Sequence, residues 1–246
     1  APRVPWFDPA TQWVSPDAFG AKADGVTDDS AAVQAAFDAG KPCVYFPGKD
    51  YLLEQPIRVP ASVRRVNFLF CWVRRGRFTI DTASHQPILF ENSSNLAGKP
   101  PVGASIQFVS REPRPVVVNL ATGGYRNELD PPAPQDVFLE NMVLYAGEDL
   151  CPPNTRLWGR AMDTEHSGAR PMFNCRGGML WLAGTKTEQS ATPYAVRNAG
   201  RLEVLGGYTN VTHHSPNCMV EVDGAFASVV TCQTFGAKWP NILRYK

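Results

Sequence analysis

The chain has 246 residues with 24 Lys and Arg against 23 Asp and Glu, a formal charge of +1. So even a balance excludes the basic field that drives phosphate-backbone binding, and nucleic acid is not an expected partner. The hydrophobic fraction of 43% supports a sizeable core, while 22 Pro and 20 Gly interrupt the chain too often for a helical protein and favour many short strands.

No run approaches the roughly 20 consecutive apolar residues of a membrane span, so no membrane partner is expected. An Ala1 start suits a mature form whose targeting segment has been removed. The first element is a helix over Asp28 to Gly40, with acids at its N-terminal end, Ala32, Val33, Ala36 and Phe37 on one face, and Gly40 placed as the C′ residue. A Pro-bounded apolar run, Cys43 to Pro47, reads as a short strand. Further β-prone runs are Val63 to Val73, Phe78 to Ile80, Ile88 to Phe90, Ile106 to Val109, Val116 to Val118 and Val137 to Tyr145. Pro, Gly and Asn crowd the stretches from Lys99 to Pro134 and from Gly147 to Pro153, which read as long excursions on a scaffold.

The last third repeats. Leu157 to Glu165, Leu180 to Glu188 and Leu202 to Asn210 align, with Trp158 and Trp181 in one pair of equivalent positions and Glu165 and Glu188 in another. A period of 22 to 24 residues signals a solenoid, in which each unit buries its apolar face on its neighbours. The regular Leu and Asn ladder of leucine-rich repeats is missing, and Val, Phe, Thr and Trp fill the strand positions, so a coil of parallel β-strands fits better. The clearest coils run over 157–232, inside a single domain of 1–246. The tail Phe235 to Pro240 is expected to cover the last coil.

None of the six cysteines forms a CxxC pair or groups with histidines, so no zinc site is expected. Three disulfides and buried free thiols are both open, and Cys151 with Cys175 is the pairing to test first.

The segment Phe19-Gly20-Ala21-Lys22-Ala23-Asp24-Gly25-Val26-Thr27-Asp28-Asp29-Ser30-Ala31-Ala32-Val33-Gln34-Ala35-Ala36-Phe37, followed by Val44 to Tyr51, resembles the N-terminal signature of pectate-lyase-superfamily proteins related to polygalacturonases. A run from Leu180 to Glu188 is similar to one found in some bacterial β-helix proteins. The resemblance implies an all-β, right-handed parallel β-helix opened by an N-terminal capping α-helix, the cap helix and first strand together occupying 14–51. It also implies a polysaccharide or oligosaccharide partner and a secreted or cell-surface location. It does not choose a reaction, because the superfamily includes hydrolases, lyases, epimerases and phage tailspikes. The polygalacturonase catalytic elements and the Arg-rich Pro motif of true pectate lyases are not matched here, and Asp24, Asp28 and Asp29 are explained by turn and capping duties.

Stacking by the repeat places Glu165, Glu188 and Asn210 in one column and Asp163, Lys186 and Tyr208 in a second. Two Glu on adjacent coils would lie about 5 Å apart, near the carboxyl separation of a retaining glycosidase. Glu165 and Glu188 are therefore the candidate acid–base pair, and stacked acids of this kind can also hold a calcium ion; no other cofactor is expected. Lys186 or Tyr208 could instead act as the base of a β-elimination, with Asp163, Arg197, Arg201 and His214 holding substrate. The structural alternative is a surface ladder in which Lys186 separates acids on adjacent coils. His213, and Asp81 with His85, are thinner candidates. Trp158 over Trp181 is expected inside the coil, with a sugar platform on its outer surface as the other option. The expected activity is polysaccharide cleavage by hydrolysis or β-elimination, the rival being a glycan-binding or structural module, with monomer and homotrimer both open.

Overall fold

The computed structural model describes residues 8–93, 106–129, 133–144, 149–165, 167–211, 216–236 and 239–246, with the side chains of 149 and 234–236 set aside. The chain divides into two compact units, Ala1–Asp130 and Pro131–Lys246. Each is a parallel β-solenoid.

In the first unit three parallel ladders run side by side. Trp13–Val14, Cys43–Tyr45, Arg65–Asn67, Ile88–Glu91 and the beginning of Val116–Asn127 pair in that order. Ile57–Arg58, Gly76–Ile80, Ile106–Ser110 and the end of Val116–Asn127 form the second ladder. Asp24–Asp28, Asp50–Leu52 and Trp72–Arg74 form the third. The run expected from Val63 to Val73 is broken into two strands because Leu69 and Phe70 take positive φ, 46° and 61°, and turn the chain from one ladder to the next. The expected excursion after Lys99 contains the 12-residue strand Val116–Asn127. Its glycines do not mark a loop: a Cβ at Gly123 would stand 2.2 Å from the Ile106 carbonyl oxygen, so Gly permits the close approach of two strands.

The capping helix spans Ser30–Asp38, and Gly40 has φ +71°, the left-handed C′ position the sequence predicts. Val33, Ala36 and Phe37 are buried, and the Phe37 ring lies 5.8 Å from that of Phe78. Phe78 in turn meets Phe46, Phe68, Phe90 and Phe108, so the helix closes onto a phenylalanine core. Each such ring contributes roughly 1.5–3 kcal/mol of burial. The acids ahead of the helix build the cap. Asp28 accepts from the backbone N–H and hydroxyl of Ser30 and from Glu54 N–H. Asp29 accepts from the Lys22 and Ala23 amides, and Asp24 from those of Val26 and Thr27.

In the second unit the strands Gln135–Leu144, Thr155–Glu165, Met179–Glu188, Arg201–Val211 and Phe226–Gly236 form one parallel ladder. Asp149–Cys151, Phe173–Arg176, Tyr194–Arg197, Cys218–Asp223 and Asn241–Tyr245 form a second. Each coil thus gives one strand to each ladder, and among the described residues of this unit no helix occurs, unlike a leucine-rich repeat. Leu157, Leu180 and Leu202 stack in register and are buried. Cys151 pairs in register with Cys175, and both are buried free thiols donating to backbone carbonyls: Cys151 Sγ to Met179 O at 3.0 Å, Cys175 Sγ to Gly178 O at 3.3 Å. Of the expected covering tail, residues 237–238 lie outside the described part; Trp239 is buried, and the chain continues into the strand Asn241–Tyr245.

Candidate functional site

Four of the five long strands of the second unit are each two extended legs joined at one left-handed residue. Asn141, Ala161, Gly184 and Gly206, with φ of 49°, 52°, 71° and 76°, occupy equivalent positions on four successive strands. One residue in this conformation shifts the alternation, so that along Met179–Glu188 even positions face inward before it and odd positions after it. Along Met179–Glu188, Leu180, Leu182, Thr185 and Thr187 are buried, whereas Trp181, Lys186 and Glu188 are on the outer surface.

After the bend, the register is the one the repeat predicts. Asp163 pairs with Lys186 and Lys186 with Tyr208; Glu165 pairs with Glu188 and Glu188 with Asn210. The Lys186 ammonium lies 2.7 Å from Glu165 Oε1, 3.0 Å from Glu188 Oε1 and 3.4 Å from Asp163 Oδ2. Burial works against its charge, but hydrogen bonds to Glu165 and Glu188 and the field of Asp163 outweigh it and hold Lys186 well above the ordinary lysine range. An ammonium so held is disfavoured as an elimination base. Asp163 goes the other way from a salt-bridged acid. Burial raises its pKa, Lys186 pulls it down, and the nearby Glu165 and Glu188 charges add to the rise. Its Oδ1 is buried and has no hydrogen-bond partner among the described residues. Lys186 also occupies the place between the two Glu where calcium would sit, and no group of three or more acids, His or Cys suited to a metal occurs among the described residues.

The other expected substrate contacts are dispersed. Arg197 is on the Tyr194–Arg197 strand of the other ladder, 3.1 Å from Glu221. Burial pushes Glu221 up, but Arg197 and Lys246 together hold it below the usual range. Arg201 is exposed at the start of its strand, before the bend. His213 and His214 lie outside the described residues. In the first unit, His85 is exposed and Asp81 accepts from Thr79 Oγ1, an ordinary surface arrangement.

Trp158 and Trp181 are not in the core. Phe138, Trp158 and Trp181 form a stacked column on the outer surface before the bend, with centroids 4.8 and 5.1 Å apart and ring planes within 7°. They alternate with the buried Val137, Leu157 and Leu180, so the parity of each strand sends the rings outward. The column then changes character, with Glu203 in register after Trp181 and Ser228 after Glu203. At that step lies a groove of about 580 Å³ bordered by Trp181, Arg201, Glu203, Phe226 and Ser228. Phe138, Glu203, Phe226 and Ser228 were not singled out from sequence, although extending the Trp158–Trp181 column by one repeat in each direction finds the first two.

Residues 13–67 match the family model described as rhamnogalacturonase A/epimerase, pectate lyase-like, a span that contains the N-terminal signature. No curated protein matches the chain. Among solved structures, ORF18 of Geobacillus virus E2 aligns at 16% identity and a TM-score of 0.36, covering 96% of this chain and 62% of that one. Tailspike protein 3 of bacteriophage CBA120 aligns at 12% identity and a TM-score of 0.22, covering 96% and 61%. The chain spans less than two thirds of either protein.

Proposed function

We propose that this parallel β-helix, whose residues 13–67 match a pectate lyase-like family model, is an extracellular glycan-active protein that hydrolyses a polysaccharide at Asp163, Glu165 and Glu188. The observation that carries this reading is the single ammonium of Lys186 gathering three carboxylates from two coils. Asp163, raised by burial, supplies a proton donor, while Glu165 and Glu188, each paired with Lys186, supply the nucleophile or base. The two Glu oxygens can be no farther apart than their two distances to Lys186 combined, which is compatible with the roughly 5 Å of a retaining pair. Hydrolysis is favoured over β-elimination for two reasons. Lys186 is held as an ammonium by Glu165 and Glu188, which disfavours it as a base, and the acids of the cluster outnumber that one ammonium, which disfavours the uronate an elimination needs. Tyr208 would contact the substrate beside Lys186.

The rival reading, a glycan-binding module without turnover, draws on the same ion pairs, since Lys186 engages every acid of the cluster. Incubating the chain with neutral and uronic-acid polysaccharides separates the two. Reducing ends without unsaturated uronate, lost in Asp163→Asn, are expected for the hydrolase. Release of reducing ends from no glycan would leave the binding module, and unsaturated products would establish elimination. A solution mass decides between monomer and homotrimer.

A further inference from the structure

We infer that the groove at the end of the aromatic column is a separate saccharide-binding subsite, in which one pyranose ring stacks on Trp181 while Arg201 and Glu203 hold its hydroxyls. Both faces of Trp158 are covered, by Phe138 at 4.8 Å and Trp181 at 5.1 Å, so that ring offers solvent only its edge. Trp181 is the last aromatic ring of the column, and its second face looks toward the coil that carries Glu203. A π face is negative and attracts the polarised C–H groups of a sugar ring, an interaction a ring edge cannot make. The groove of about 580 Å³ falls among clefts that take small ligands, roughly 300–1,000 Å³.

The charges around it point to the same use. Elsewhere on this outer surface the arginines are spoken for: Arg156 forms a two-pronged pair with Asp136, and Arg160 with Glu140. Arg201 and Glu203 have no ion-pair partner among the described residues, although both border the groove, and they are separated by one residue on the same outward side of one strand. A guanidinium and a carboxylate at that spacing can donate to and accept from neighbouring ring hydroxyls, with Ser228 adding a hydroxyl and the 63% exposed Phe226 a second apolar wall. A pyranose presents that combination, an apolar ring face bordered by hydroxyls. The subsite lies before the bend and uses none of the Asp163 cluster, so it stands whether or not that cluster turns over.

The test uses the whole chain and a set of tetrasaccharides built separately from glucose, galactose, rhamnose and galacturonic acid. Saturation-transfer NMR and tryptophan fluorescence should show at least one binding at millimolar concentration. Trp181→Ala should weaken it more than tenfold, Trp181→Phe should retain part of the affinity, and the paired Arg201→Ala and Glu203→Ala change should abolish it with an unchanged melting curve. Binding lost in Asp163→Asn but unchanged in Trp181→Ala would put the sugar at the proposed reaction centre instead and overturn the assignment. Binding by none of the four sugars, or unchanged affinity in the Trp181→Ala or the paired variant, overturns the assignment.

Discussion

Asp163 Oδ2 stands 3.4 Å from Lys186 Nζ, yet Asp163 is harder to ionise than an aspartate in water, because burial outweighs the facing ammonium. The sign of the consequence follows from linkage. The folded carboxyl keeps its proton above the ordinary value of about 3.9 at which the unfolded one loses it, so the folded state binds more protons in that window and this group's contribution to stability falls as pH rises. Asp163→Asn removes the effect. The stability of the variant relative to the parent, from urea midpoints between about pH 3 and 7, is expected to increase with pH. A relative stability that decreases with pH would show a depressed carboxyl and remove Asp163 as a proton donor.

The bend positions behave differently from the glycine beside them. Ala161 holds φ +52° where the next two coils have Gly184 and Gly206, so Ala161→Gly should relieve strain and stabilise by about 1 kcal/mol. Gly207 has no such backbone demand, but a Cβ there would stand 2.5 Å from both Thr231 Oγ1 and Tyr194 Oη. Gly207→Ala should therefore cost about 1–3 kcal/mol by overpacking. Opposite shifts of the melting temperature in the two variants are the expected result.

In the first unit, the buried Arg114 donates to the carbonyls of Gln86, Pro60 and Val63 at 2.9, 3.2 and 2.6 Å, joining three loop segments. Burial lowers its pKa to about 10. Arg114→Met leaves those acceptors without these donors and should cost about 3–5 kcal/mol in chemical denaturation. A loss below about 1 kcal/mol would mean that water replaces the guanidinium freely.

Thiol chemistry gives a count. Cys232 is exposed while Cys43, Cys71, Cys151, Cys175 and Cys218 are buried and free. A thiol-reactive aromatic disulfide should therefore label one cysteine in the native chain and the other five only on unfolding. Five or six fast-reacting thiols would contradict the packing, and failure of Cys151 and Cys175 to react after unfolding without reductant would reveal a bond between them.

Much of this organisation is legible in the sequence because a solenoid converts spacing into contact. The recurrence of Trp158 at Trp181 and of Glu165 at Glu188 becomes register directly, and Gly40 ends its helix where the pattern places it. The direction of side chains was harder to read. A single left-handed residue at Ala161 shifts the alternation between Trp158 and Glu165, and Ala carries no turn signal, so the burial expected of Trp158 and Trp181 rests on their apolar rings alone and nothing in the sequence corrects it. Ion pairing is legible as one of two readings: the repeat sets Lys186 between acids on adjacent coils, and its three carboxylate neighbours favour that ladder over Lys186 as an available base. Glu203 and Phe226 are not legible from repetition because their columns change residue type from coil to coil.

The bend at Gly184 sets a length requirement on any ligand. Trp181 and Lys186 share one strand but stand on opposite sides of that corner, so a single sugar can touch one or the other and not both. Short oligosaccharides would then occupy the Trp181 groove without influencing events at Asp163. Only a polymer long enough to turn the corner would link the two by effective concentration, so its apparent affinity should step upward at the chain length that first reaches both.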